Sequence, residues 1–454
     1  MAHARLGWLG IMRLGLVQTS LGAIVVLTTS TINRVMVVEL ALPAILPGAL
    51  VGFHYALQVL RPRWGHGSDV GGRRTPWIIG GMGVLALGGV LAAVATSWMG
   101  QSTAGGLITA IVAFGLIGVG VGASGTSLLA LLATSVAPER RGAAATIVWL
   151  MMIAGFVVTA TTAGHFLDPY SPERLVAVTA AVSAAAFLVT LAALYGIEDS
   201  TQSTRSALVP AAVPEPEPRF RVALAEVWGD RDARRFTIFV FLSMLAYSMQ
   251  DLILEPFAGI VFGMTPGQST KLAGLQHGGV FTGMVLVAVV GRAGLGIGSL
   301  RSWTIGGCIA SAVALAGLVA AGMLAPAWPL KPSVFALGVA NGAFAVAAIG
   351  SMMQLAGAGR AQRTGVRMGL WGAAQAIAFG VGGFLGAAAV DALRAMGTEP
   401  VAAFTTVFAL EAMLFLLAAR LAAATIASDK SDLGSLEIAP LSTPPANVVV
   451  ETRG

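Results

Sequence analysis

Twelve long apolar runs follow one another along this chain, and no other feature narrows the possible folds as much. They lie near 14 to 38, 44 to 60, 77 to 98, 105 to 133, 143 to 165 and 173 to 195, then near 236 to 261, 271 to 291, 302 to 325, 333 to 356, 366 to 389 and 401 to 425. An α-helix rises about 1.5 Å per residue, so each run crosses, or nearly crosses, a hydrocarbon layer about 30 Å thick. A water-soluble globule has no room for so much apolar surface: 56% of the 454 residues are hydrophobic, 11% are charged, and the mean hydropathy is +0.83. The expectation is an all-α membrane protein with twelve transmembrane helices. Its 58 glycines fit that environment, because small residues let membrane helices approach closely. The single cysteine, Cys308, excludes an internal disulfide and a cysteine metal cluster.

The runs fall into two sets of six. Residues 1–13 read as an interfacial N-terminal segment, 14–195 and 236–425 as two six-helix bundles, 196–235 with its VPAAVPEPEPRFR stretch as a linker, and 426–454 as a flexible tail. The formal net charge of +6 raises the question of nucleic acid, and its distribution answers it, because the basic residues sit in short loops between apolar runs. With both termini and the even-numbered connections on the cytoplasmic side, that side collects Arg61, Arg63, Arg73, Arg74, Arg140, Arg141, Arg231, Arg234, Arg235, Arg301, Arg360 and Arg363 among others. The opposite side keeps Arg174, Lys271, Lys331 and Arg394. By the positive-inside rule this sets the orientation.

The two halves echo each other. RRGAAATIVWLMMIAGFVVTATTAGHFLD at 140–168 parallels RTGVRMGLWGAAQAIAFGVGGFLGAAAVD at 363–391, and the interval from Gly142 to Asp168, 26 residues, equals that from Gly365 to Asp391. Two six-helix bundles related by a repeat resemble the organisation of the major facilitator superfamily. The loop RPRWGHGSDVGGRRTPW at 61–77 resembles that superfamily's signature, with Gly67, Asp69, Gly72, Arg73 and Arg74 in the matching positions of a tight, charge-bearing turn.

Polar residues inside apolar runs are costly and so mark pairing or function. NRVMVVELALPA at 33–44 places Asn33, Arg34 and Glu39 at one end of the first run. Arg34 and Glu39 are five apart, poor spacing for one face of an α-helix, so each is expected to seek a partner elsewhere. SMQDLILEP at 248–256 occupies the corresponding place in the seventh run, with Asp251 and Glu255 four apart on one face. This cluster reads as a clasp between the halves, a ligand-recognition group or a proton-coupling group. His54 and His277 stand 223 residues apart, the offset of the repeat, in glycine-rich settings. A neutral imidazole can ligate a magnesium porphyrin, and Gly52, Gly274, Gly278 and Gly279 would leave space for a flat macrocycle; a hydrogen-bonding role at a helix interface is the alternative. Gln58, Asn341 and Gln375 are candidate cavity residues, and Gln354 and Glu411 are further interior polar groups. No P-loop, no HExxH pair and no nucleophile with an identifiable base occurs, so the expectation is a protein that is not an enzyme.

Residues 13–50, RLGLVQTSLGAIVVLTTSTINRVMVVELALPAILPGAL, together with LRPRWGHGSDVGGRRTPWIIGG, resemble the bacteriochlorophyll-delivery family of phototrophic bacteria. That family includes the PucC-like and LhaA-like proteins that assist light-harvesting complex assembly, and the likeness runs from about residue 10 to 425, with Asn33, Arg34 and Glu39 matching as a block. The resemblance implies a multi-pass protein of the bacterial cytoplasmic or intracytoplasmic membrane that carries bacteriochlorophyll a, or a related magnesium tetrapyrrole, as cargo. It implies light-harvesting or reaction-centre polypeptides and late bacteriochlorophyll-synthesis enzymes as partners, and no nucleic acid. His54 and His277 are then candidate pigment ligands. The alternatives are a proton-coupled transporter of a tetrapyrrole or other amphipathic anion, and a scaffold that binds no pigment.

Overall fold

Among the described residues, eleven of the expected spans form helices long and apolar enough to cross a membrane, and the second forms a shorter apolar helix. The computed structural model describes residues 6–60, 73–137, 140–197, 228–292, 298–357 and 364–425. In chain order the helices are α1 Trp8–Glu39, α2 Ile45–Leu57, α3 Thr75–Met99, α4 Thr103–Ser135, α5 Arg141–Phe166 and α6 Pro172–Leu194. The second six are α7 Arg231–Met249, resuming over Leu254–Phe262 after a 3-10 turn, α8 Pro266–Arg292, α9 Leu300–Met323, α10 Leu330–Gly357, α11 Thr364–Ala395 and α12 Pro400–Thr425. Polar caps mark several starts: the hydroxyls of Ser102, Ser171 and Ser299 accept from the backbone N–H of Gly105, Arg174 and Ser302.

The packing repeats between the halves. In the first, α1 lies on α5 and α6, α2 on α4, and α3 on α4 and α6; in the second, α7 lies on α11 and α12, α8 on α10, and α9 on α10 and α12. The contacts joining the bundles repeat as well, since α2 packs on α11 and α8 on α5. Each bundle has its own apolar core, one including Ile24, Met36, Leu85 and Phe114, the other Phe239, Phe257, Phe344 and Phe408. Leu87, Ile108, Val158, Leu188 and Val313 stay exposed, as expected of helices whose outer faces meet lipid.

Two boundaries differ from the sequence expectation. Residues 8–13, expected as a separate interfacial segment, are the first turns of α1, and α7 begins at Arg231, inside the expected linker. Capture of polar groups by neighbouring chain explains the early start of α1. Arg13 Nε donates to the Ala193 carbonyl at the end of α6 (3.0 Å), Leu6 N–H donates to the Ser135 carbonyl (3.0 Å), and the Arg140 guanidinium sits 5.5 Å over the Trp8 ring. Most of the expected linker and the whole expected tail lie outside the described residues.

Candidate functional site

The last third of α1 is not a regular α-helix. Leu27–Thr31 and Val35–Glu39 are π-helical, and in the second the Leu40 N–H donates to the Val35 carbonyl five residues back, 3.0 Å. A wider turn brings residues five apart to one side. Arg34 therefore meets Glu39 directly, Nη1 to Oε1 2.6 Å, which corrects the expectation that this spacing would send each to a different partner. Arg34 is 1% exposed, and its Nη2 donates to the Met264 carbonyl of the other bundle, 2.5 Å. Beside it Asn33 Nδ2 donates to the Leu252 carbonyl, 2.7 Å, and the Thr31 and Thr270 hydroxyls lie 3.0 Å apart. In the α5–α6 connection Tyr170 belongs to the same environment: burial first, and then the negative charge of Glu39, push its phenol up to about 12.

Asp251 and Glu255, expected on one face, do not share a continuous α-helix: Asp251 lies in the 3-10 turn Gln250–Leu252 and Glu255 in the helix that resumes at Leu254. Glu255 is buried beside the Ser269 hydroxyl and within the field of Arg34. Asp251 is half-buried and acts on Tyr247 and Glu411 instead. The break between them is the physical reason: four residues of continuous α-helix would have kept them stacked.

The aspartates that close the sequence repeat take equivalent places. Asp391 Oδ2 on α11 accepts from the Ile45 N–H at the start of α2, 2.6 Å, and Asp168 Oδ1 after α5 accepts from the Thr265 hydroxyl just before α8, 2.8 Å. Each carboxylate from one bundle thus sits at the N-terminus of a helix in the other, where unpaired N–H groups and the helix dipole favour an anion. These two contacts and those of Thr31, Asn33 and Arg34 all lie on the face of the odd-numbered connections. Together they form a polar seal between the bundles. The Arg34 charge is engaged by Glu39 and the Met264 carbonyl in this conformation.

The two histidines do not share one pocket: His277 meets Phe156 of α5 across a bundle junction, whereas His54 makes its ring contacts within α2, at a place where α2 backs onto α4 of its own bundle. His54 on α2 is buried, stacks on Tyr55 with centroids 4.5 Å apart, and shares a 2.9 Å Nε2–Nε2 hydrogen bond with Gln58. Gln58, a candidate cavity residue, is thereby tied to the imidazole. His277 on α8 is half-buried, its ring centroid 4.9 Å from that of Phe156 on α5, and its Nδ1 has no hydrogen-bond partner. The glycines around the histidines mostly do not make macrocycle gaps, because neighbouring helices fill them. A Cβ at Gly279 would lie 3.0 Å from Gly338 Cα and Val339 N of α10, one at Gly274 would lie 3.2 Å from the Thr161 backbone of α5, and one at Gly52 would meet the Gly380 carbonyl of α11 at 3.5 Å. Gly278 differs: a Cβ there meets nothing within 4 Å.

Asn341 is fully buried and accepts from the Ser311 hydroxyl, 2.7 Å, so it joins α10 to α9; Gln375 on α11 is half-buried. Gly67, Asp69 and Gly72 of the signature loop lie outside the described residues. Of its two arginines, Arg73 is exposed, and Arg74 is buried with Nη1 donating to the Ala130 carbonyl of α4. Sequence reasoning missed the roles of Tyr170, Ser269 and Thr270, which carry no pattern of their own. It had noted the two closing aspartates, but not what they bind.

Known proteins share this architecture and much of this sequence. A solved structure concerned with substrate recognition in proton-dependent oligopeptide transporters superposes with a TM-score of 0.64 at 16% identity, over 92% of this chain and 98% of that one, which supports the major-facilitator-like fold. The bacteriochlorophyll synthase 44.5 kDa chain of Rhodobacter capsulatus is 56% identical over 93% of this chain and 96% of its own length. The protein PucC of Cereibacter sphaeroides is 32% identical over 89% of this chain and 90% of its own. The sequence profile described as PUCC protein matches residues 31–430, and with that span the chain belongs to the PUCC protein family.

Proposed function

We propose that this protein binds bacteriochlorophyll, or a late phytylated precursor, and delivers it to light-harvesting or reaction-centre polypeptides during photosystem assembly. The observation that carries the proposal is His277. It is an imidazole at the junction of the two bundles, half-buried, with Nδ1 unpaired and the open face of Gly278 next to it in sequence. A neutral imidazole in an apolar junction suits an axial magnesium ligand. His54, already bonded to Gln58 and stacked on Tyr55, fits a positioning role better than a ligand role.

A phytylated pigment already favours lipid, so the useful work is to isolate the macrocycle and present it to a client, which differential binding achieves without pumping a solute through water. The charge distribution supports cytoplasmic termini, which puts the polar seal on the opposite side and directs exchange to the cytoplasmic side or the bilayer. We read the chain as a non-catalytic carrier acting beside pigment-synthesis enzymes, although the relative at 56% identity has "synthase" in its name.

The test is purification in mild detergent from a bacteriochlorophyll-producing host, with the absorbance spectrum and co-purified polypeptides read from one peak. Wild type should carry pigment, His277→Ala should lose most of it, and His54→Ala should keep it. A colourless wild type without client polypeptides would overturn the proposal.

A further inference from the structure

Glu411 lies near the middle of α12, is fully buried, and neither carboxylate oxygen has a hydrogen-bond partner. The charged group that acts on it is another acid, Asp251, at the 3-10 turn of α7, a helix packed on α12. Asp251 is half-buried, whereas Glu411 is fully enclosed. Next to Asp251 in the chain, Gln250 is also fully buried, with both amide atoms unpaired.

The other titratable and charged groups on the elements around α12 leave this arrangement uncompensated. On α7, Tyr247 lies beside Asp251 and is itself acted on by Tyr55 of α2. Glu255, on the continuation of α7, is within the field of Arg34, and Arg231, Arg234 and Arg235 lie at the distant start of that helix. From α9 come Cys308, a buried thiol, and Arg301, whose Nη2 donates to the Ala423 carbonyl near the far end of α12. On α11, Asp391 and Arg394 belong to its last turns, and on α12 itself Glu399 precedes the helix and Arg420 is exposed. An ionised carboxylate cannot persist in such a place without a donor or a cation, and a second carboxylate nearby makes two charges less tolerable still. A proton satisfies the site, and it needs no cavity.

We propose that Glu411 is a proton-binding site, loaded and emptied through Asp251. The elementary step moves one proton from the Asp251 carboxyl to the Glu411 carboxylate; one O–H bond breaks, one forms, and the negative charge passes to the partly exposed acid, which recovers a proton from water. Because Asp251 sits where α7 departs from regular helix, a change at that turn alters the path. The inference does not depend on pigment binding.

The experiment is infrared difference spectroscopy of the full-length protein in pigment-free lipid vesicles during pH and H2O/D2O exchange. Wild type should show a protonated-carboxyl stretch at neutral pH that is lost in Glu411→Gln and retained in Glu255→Gln. In Asp251→Asn the band should remain, shift in frequency because its neighbour has changed, and exchange with D2O more slowly. The proposal is overturned if no such band exists at neutral pH, if Glu411→Gln leaves it intact, or if it is lost in Glu255→Gln instead. Should Glu411→Gln fail to fold, Asp251→Asn decides, since a band with unchanged frequency and exchange rate contradicts the coupling.

Discussion

Replacing Arg34 with Met tests whether the polar seal holds the bundles together. Arg34 is 1% exposed and makes two charge-assisted hydrogen bonds, one to Glu39 in its own helix and one across the bundle junction to the Met264 carbonyl. Such bonds contribute roughly 1.5–3 kcal/mol each. A second acid is affected: Glu255 is buried in the field of the guanidinium, although it is not hydrogen-bonded to it. Glu39 is different: its side chain is 33% exposed, so water replaces much of what Arg34 supplies, and Glu39→Gln should cost only about 1 kcal/mol or less. Thermal unfolding followed by tryptophan fluorescence in detergent should therefore rank wild type first, Glu39→Gln slightly lower and Arg34→Met far lower. Adding Glu255→Gln to Arg34→Met should recover part of the loss by removing a buried acid that no longer has a cation in its field. Equal losses in Arg34→Met and Glu39→Gln, or a further loss in the double variant, would refute the reasoning.

Asp168→Asn combined with Asp391→Asn removes both helix-terminus charges, about 0.3–1 kcal/mol each. A cysteine placed at Thr31 in a Cys308→Ser background should then react faster with a membrane-impermeant maleimide, and an unchanged rate would show that the aspartates do not hold the seal. Gly279→Ala should lower the unfolding temperature sharply, because the new methyl meets the backbone of α10, while Gly278→Ala, facing open space, should change it little. Tyr170 should ionise near pH 12 rather than the ordinary value near 10, as read by ultraviolet titration against Tyr170→Phe, and Glu39→Gln should move it down. Since the folded phenol holds its proton more tightly than the unfolded one, its contribution to stability is complete below about pH 10 and is lost as pH rises toward 12.

The distance between expectation and structure is largest where backbone geometry departs from the regular α-helix. The sequence showed that Arg34 and Glu39 were unusual, but their pairing depends on a π-helical turn that neither residue type announces. The stacking expected for Asp251 and Glu255 fails for the mirror reason, a tightened turn that holds Asp251 and interrupts the helix before Glu255. The expected gaps at Gly52, Gly274 and Gly279 are helix contacts, because a glycine records only that something approaches closely, not whether it is a ligand or another backbone.

What the sequence determined by itself is the class of the fold: runs of apolar residues at membrane length, basic residues segregated into loops, and a repeat that links Asp168 to Asp391 and His54 to His277. Those are one-dimensional properties, set by burial in lipid and by the reach of a helix, and they need no knowledge of neighbours. Which helix each polar group faces was decided only by the tertiary structure. Asp391 meeting Ile45, Arg34 reaching Met264 and Asp251 acting on Glu411 join positions far apart in the chain. A buried charge takes whatever partner packing brings within a few ångströms, and that distance is not written in the spacing along the sequence.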